Sequence, residues 1–275
     1  MVATVHNYAY FYSDTVKHTV YVMEGQGKAD TSRRNRKDAT MTKKTAAVAA
    51  NGKAGRLIAK ESAERGIDVT AFVRSASKTA AEKAVVKDIM DLTAKDLAGF
   101  DAVVDAFVAW TPEALDQHST TLAHLCDCLS GTNVRLLVVG GAGSLYVSPK
   151  HTLAVSDTPD FPDAFKPLAA AMAKALGKLR ERSNVKWTYI SPAGYFRAKG
   201  ERTGPYILGG EELTLADAGE SVISYTDYAI AMIDEIETGN HLQQRVSTER
   251  KQHNIVKCSS KSGNALPLDT ASLTR

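Results

Sequence analysis

The sequence predicts a doubly wound, parallel α/β sheet, and three observations carry that prediction. Short apolar runs alternate with segments of helical period across residues 45–190. The apolar runs are near-continuous, which suits strands covered on both faces. A glycine-containing turn joins the first run to the first helix, and strand–helix alternation at this rhythm is that of parallel crossovers.

The elements follow in order. Thr45–Ala49 is the first apolar run, and Gly52–Arg65 follows with Ala54, Leu57, Ile58 and Ala63 at helical spacing. Gly66 supplies a helix stop. Val69–Val73 reads as the second strand and Ala84–Lys87 as a short third one. Phe100–Val108 reads as a buried strand, followed by a helix over Pro112–Leu129. Val134–Val139 is the next strand, ended by Gly140–Gly143. Leu168–Arg182 is an alanine-rich helix and Trp187–Ile190 a further strand. A small C-terminal lobe is expected after Tyr195, so the folded domain spans residues 43–249.

The 275 residues are 44% hydrophobic and 24% charged, a globular composition. The net charge of +3 is too small to call for a nucleic-acid partner. No run approaches the ~20 apolar residues of a membrane helix. Residues 1–42 are polar and aromatic without apolar period and read as a disordered or appended leader; residues 250–275 read as a disordered tail. Both ends are basic around an acidic middle. Three cysteines cannot build a disulfide framework, and Cys126 and Cys128 lack metal-ligand spacing. No metal is expected. Free thiols and the lack of a signal-peptide pattern favour a cytoplasmic protein.

Ala47–Gly55 lies where a strand gives way to a helix, the context in which glycines cradle a pyrophosphate. Gly52 lets the backbone approach the anion, Gly55 lets the helix pack on the strand, and the first helical N–H groups face the ligand. Asn51 and Lys53 add polar contacts. Ala49 stands where such turns carry their first glycine. Alanine disfavours positive φ, so the turn is expected to be reshaped or to bind more weakly. At the end of the second strand, Arg74, Ser75 and Lys78 replace the carboxylate that would accept from ribose hydroxyls. A guanidinium beside a hydroxyl suits a 2′-phosphate, favouring NADPH with NADH possible.

Asn51–Gly55, Phe72–Ser75, Lys87–Thr93, Arg135–Tyr146, Asp157–Pro162, Trp187–Ala193, Gly200–Gly204 and Ile223–Ala229 together resemble the atypical short-chain dehydrogenase/reductase superfamily, in its NADH-flavin-reductase-like branch. The similarity spans about residues 43–247. It implies a Rossmann-like domain with a small C-terminal substrate lobe. It further implies that Asn51, Gly52, Lys53 and Ala54 line the pyrophosphate, Arg74 and Ser75 the adenosine ribose, and Asp88 and Ile89 the adenine. Ala106 and Phe107 would cover the phosphate–ribose section, with Gly140, Gly141 and Pro192 near the nicotinamide.

Tyr146 and Lys150 match the Tyr-x-x-x-Lys spacing of carbonyl-reducing relatives, but Pro149 breaks the helix that would align them. Ser144, Tyr146 and Tyr195 are instead candidates for orienting a second ring. His118 and His124 read as packing histidines, and Asp157, Asp160 and Asp163 as solvated turn carboxylates. Lys174, Lys178, Arg180 and Arg182 read as a solvated face. The expectation is an NADPH-dependent oxidoreductase passing hydride to FMN, another free flavin or a similar planar small-molecule acceptor, as a monomer or homodimer. A non-catalytic NADP(H) sensor and a Tyr146-dependent keto-reductase are the alternatives.

Overall fold

The computed structural model describes residues 42–216 and 219–251. The expected leader, apart from residue 42, and the tail beyond residue 251 lie outside them. One eight-stranded sheet has the order β3-β2-β1-β4-β5-β6-β10-β8. Its strands are β1 (Lys44–Val48), β2 (Asp68–Val73), β3 (Lys83–Val86), β4 (Ala102–Asp105), β5 (Arg135–Val139), β6 (Lys186–Ser191), β8 (Tyr206–Gly209) and β10 (Gln244–Arg250). All pair in parallel except β8, which runs antiparallel to β10. β7 (Tyr195–Arg197) and β9 (Val222–Ser224) form a separate parallel pair.

Among the described residues four α-helices cover the sheet: α1 (Lys53–Glu64), α2 (Gln117–Leu129), α3 (Lys166–Arg180) and α4 (Tyr225–Thr238). Successive residues of β4 show why its apolar run is continuous. Val103 joins the cluster of Leu125, Leu129, Leu176 and Leu179 from α2 and α3. Val104 joins Ile58, Met232, Ile233 and Ile236 from α1 and α4. Each strand residue thus has an apolar layer to enter, whichever way it points.

The expected elements are present with shifted bounds. The strand read over Phe100–Val108 is only Ala102–Asp105, because the Asp105 carboxylate accepts from the Phe107 N–H (3.0 Å) and turns the chain out of the ladder. The helix read from Pro112 divides into a 3-10 turn over Pro112–Ala114 and α2. α3 starts at Lys166, with Pro167 in its first turn where a missing N–H costs nothing.

Two large elements beyond Trp187–Ile190 carry weaker signals. α4 follows β9 directly; Ser224 Oγ caps it by accepting from the Asp227 N–H (3.0 Å), and Gly239 closes it at φ 69°. β10 reads Gln-Arg-Val-Ser-Thr-Glu-Arg, yet Arg245, Ser247, Thr248 and Glu249 are buried. Their polar atoms are answered locally: Thr248 donates to the Ser191 carbonyl, Ser247 pairs with Thr214, and both Glu249 oxygens accept from the Val222 N–H. That last contact fastens the β7–β9 pair, the small lobe, to the main sheet. Asp227 fastens its other side by accepting from Thr203 N–H, Thr203 Oγ and Gly204 N–H.

Candidate functional site

The turn between β1 and α1 has the shape a phosphate cradle requires. Ala49 adopts φ 55°, the left-handed conformation, so alanine does not reshape the turn as expected from sequence; it is held in the strained geometry. The Ala50 N–H donates to the Phe72 carbonyl and the Gly52 N–H to the Ala49 carbonyl, which fix both arms. Gly55 is required by packing, since a Cβ there would lie 2.8 Å from Ala50 Cα. Gly52 differs: at φ −63°, a Cβ would meet only ordinary contacts with the Ala49 and Ala106 carbonyls, at 3.4 and 3.8 Å.

Gly52 has no side chain to cap α1, and among the described residues no acceptor meets the N–H groups of Lys53, Ala54 or Gly55. Three free donors at the positive end of a helix, on a turn where Lys53 is exposed and Asn51, Gly52 and Ala54 are half-buried, fit a diphosphate. The Ala106 carbonyl lies beside Gly52, with the Ala106 N–H bound to the Val48 carbonyl (3.1 Å).

Asn51 is committed elsewhere. Its Nδ2 donates to the Ala76 carbonyl (3.1 Å), and its Oδ1 accepts from the Lys78 N–H (2.8 Å). It thereby ties the glycine turn to the loop carrying Arg74, Ser75 and Lys78, all exposed. Beyond β3, the Asp88 carboxylate accepts from the Met90 N–H (3.0 Å), and Ile89 is buried in the α2–α3 core.

The other half of the sheet's C-terminal edge is built by packing. A Cβ on Gly140 would lie 2.3 Å from the Tyr189 ring, and the Gly141 N–H donates to the Tyr189 hydroxyl (3.2 Å). Burial pushes that phenol up to about 12, so it remains neutral and able to hold this bend. Pro192 is buried at the end of β6. Asp105 lies beneath Phe107 and is raised to about 6 by burial. His118, which meets Phe107 edge-on and bonds to Ala109, is lowered by burial and is a packing histidine.

Ser144 and Tyr146 are directed to β10. Arg245 donates to the Ser144 carbonyl (2.9 Å) and Oγ (3.0 Å). The Tyr146 ring stacks on His151 at 4.5 Å. Residues 146–150 are not helical, so Tyr146 and Lys150 do not share a helix face. Tyr195 lies under the Arg197 guanidinium.

Two residues absent from the sequence reading stand at this edge. Trp110 is 62% exposed, and its ring meets Phe165 edge-on at 6.5 Å. A tryptophan just past an apolar run is a signal the sequence held, but only the fold shows it exposed and brings Phe165 to it.

A parallel sheet with crossovers in both directions, and a free helix N-terminus at its β1–β4 switch, defines a dinucleotide-binding Rossmann protein. The NAD(P)H-binding family matches residues 49–238, and the chain belongs to that family. It is 42% identical over 201 residues to the uncharacterized protein YwnB of Bacillus subtilis, covering 72% of this chain and 94% of that protein. SP1627 of Streptococcus pneumoniae, described as a proposed NADH-flavin reductase, is 50% identical with a TM-score of 0.75; the match covers 76% of this chain and all of that one. A Bacteroides thetaiotaomicron protein described as a proposed epimerase is 33% identical with a TM-score of 0.68, covering 77% of this chain and 99% of its own.

Proposed function

We propose that the protein is an NADPH-dependent reductase that passes hydride to a free flavin or a similar planar acceptor. The observation that carries this reading is Asn51, which holds the Arg74–Lys78 loop against the glycine turn. One rigid unit then presents free amides for a diphosphate and, beside them, a guanidinium and a hydroxyl for a 2′-phosphate. The 50% identity to SP1627 supports the choice of a flavin.

A reduced nicotinamide bound here supplies the hydride, and water supplies the one proton that completes a two-electron reduction of the acceptor. The chain's own task is positioning. Gly140 and Gly141 let the chain turn tightly over Tyr189 and Met172 at the C-terminal end of β5, where a Cβ would lie 2.3 Å from the Tyr189 ring and 2.9 Å from Met172 Sδ, and this bend fixes the backbone against which the rings are to be aligned. Tyr146 is occupied by His151 rather than paired with Lys150, so a phenol–ammonium relay is not part of this reading.

The test is purified protein with NADPH and FMN or riboflavin, followed at 340 nm. Consumption of NADPH above the protein-free rate is expected. Tight cofactor binding without consumption across flavins and quinones would overturn the reading in favour of a sensor.

A further inference from the structure

We infer that Trp110 and Phe165 seat the acceptor, and that this acceptor is an uncharged planar ring system rather than a phosphorylated one. The inference rests on the reductase reading and names the substrate class of the same site.

Position is the first argument. Trp110 sits five residues beyond the end of β4, in the segment that begins with Ala106 and Phe107. Phe165 ends the long connection from β5 to α3. Phe161, in that same connection, lies beside Gly143, where a Cβ would come 3.6 Å from its ring. Both loops therefore rise from the C-terminal ends of β4 and β5, across β1 from Arg74. A dinucleotide with its adenosine at Arg74 runs toward them, because ligands of such sheets lie outside the strand C-termini at the switch point.

Chemistry is the second. Trp110 and the neighbouring Val108 are 62% and 43% exposed, an apolar surface left uncovered past the C-terminal end of β4. Trp110 and Phe165 meet with their planes 69° apart, and the exposed indole is a surface on which a flat ring can stack.

Charge decides the class. The segments 106–116 and 157–166 expose Glu113, Asp116, Asp157, Asp160 and Asp163. The lysines facing them are engaged: Lys166 with Asp163 (2.7 Å) and Lys174 with Asp116. The remaining carboxylates repel a phosphate, whereas a neutral isoalloxazine or quinone pays no such cost.

Two tryptophans make the test direct, because Trp187 is only 3% exposed while Trp110 is open. Protein loaded with NADP⁺ is titrated with riboflavin and with FMN, following tryptophan emission, and KM for each is measured with NADPH. Riboflavin is expected to quench Trp110, with a KM about fivefold below that of FMN at low salt and a gap that narrows as salt screens the carboxylates. Trp110→Ala should raise the riboflavin KM about tenfold with NADPH affinity and thermal midpoint unchanged, and Trp110→Phe should retain most of the wild-type KM. An unchanged KM in Trp110→Ala, or an FMN KM at or below that of riboflavin, overturns the seat while leaving the reductase standing. Quenching of Trp110 without any turnover does the reverse.

Discussion

The side-chain amide of Asn51 spans the glycine turn and the backbone of Lys78, accepting from one N–H and donating two residues away to Ala76. Phosphate cradle and adenosine-side loop are therefore coupled through one residue. Asn51→Ala should weaken NADPH binding about tenfold by calorimetry, the value of one to two net hydrogen bonds. NADH should suffer less, because its ribose makes smaller demands on the loop. Equal losses would mean that Asn51 acts on the diphosphate alone.

Arg74 is exposed at the end of β2, and among the described residues it has no ion-pair partner. Arg74→Ala should cost NADPH about 2 kcal/mol of binding, as for a charge-assisted pair with a phosphate. NADH affinity should scarcely move. The check is the ratio of the two dissociation constants.

Gly52 and Gly55 separate binding from folding. Gly55→Ala forces a Cβ to within 2.8 Å of Ala50 Cα and should destabilise the fold by about 2–3 kcal/mol. Gly52→Ala meets nothing closer than 3.4 Å, so its thermal midpoint should hold while cofactor affinity falls. Loss of stability in both variants would remove Gly52 from the binding surface.

Ala49 at φ 55° carries a steric penalty that glycine does not. Relief of about 1–2 kcal/mol is partly offset by the greater chain entropy of glycine. Ala49→Gly should therefore stabilise the protein by roughly 0.5–1 kcal/mol, read from chemical denaturation.

Glu249 is buried where β10 meets the small lobe, and burial raises its carboxyl to about 8 from an ordinary 4.5. The folded protein then holds a proton that the unfolded chain has released, so stability falls as pH rises from about 5 through 8. Between pH 6 and 9 the loss should be on the order of 2 kcal/mol. Glu249→Gln, which keeps an acceptor for the Val222 N–H, should flatten that slope. A wild-type midpoint independent of pH over this range would show that the carboxyl titrates normally.

The strands and helices from β1 to β6 were legible because each is punctuated: apolar run, polar turn, periodic helix. Shared burial on both faces writes itself into β4 and β5 as unbroken apolar residues. β10 was illegible for the opposite reason. Its buried Arg245, Ser247, Thr248 and Glu249 are satisfied by partners as distant as Ser144 and Val222, which no local pattern reveals. The same holds at the site. The glycine turn was readable as chemistry, but Ala49 yielded to the demands of the turn rather than altering it, and the bonds from the Asn51 amide to Ala76 and Lys78 follow only from the fold. Trp110 and Phe165, 55 positions apart, meet only because β4 and β5 lie side by side.

The insertion of β10 between β6 and β8 also sets an order on how the polypeptide matures. During synthesis β8 emerges some 35 residues ahead of the strand it must join, and until then its ladder partner does not exist. A nascent chain halted before Gln244 would leave that edge without its mate and the buried Glu249 anchor unmade, so the adenosine-side half can assemble early while the opposite margin waits for the final stretch to leave the ribosome.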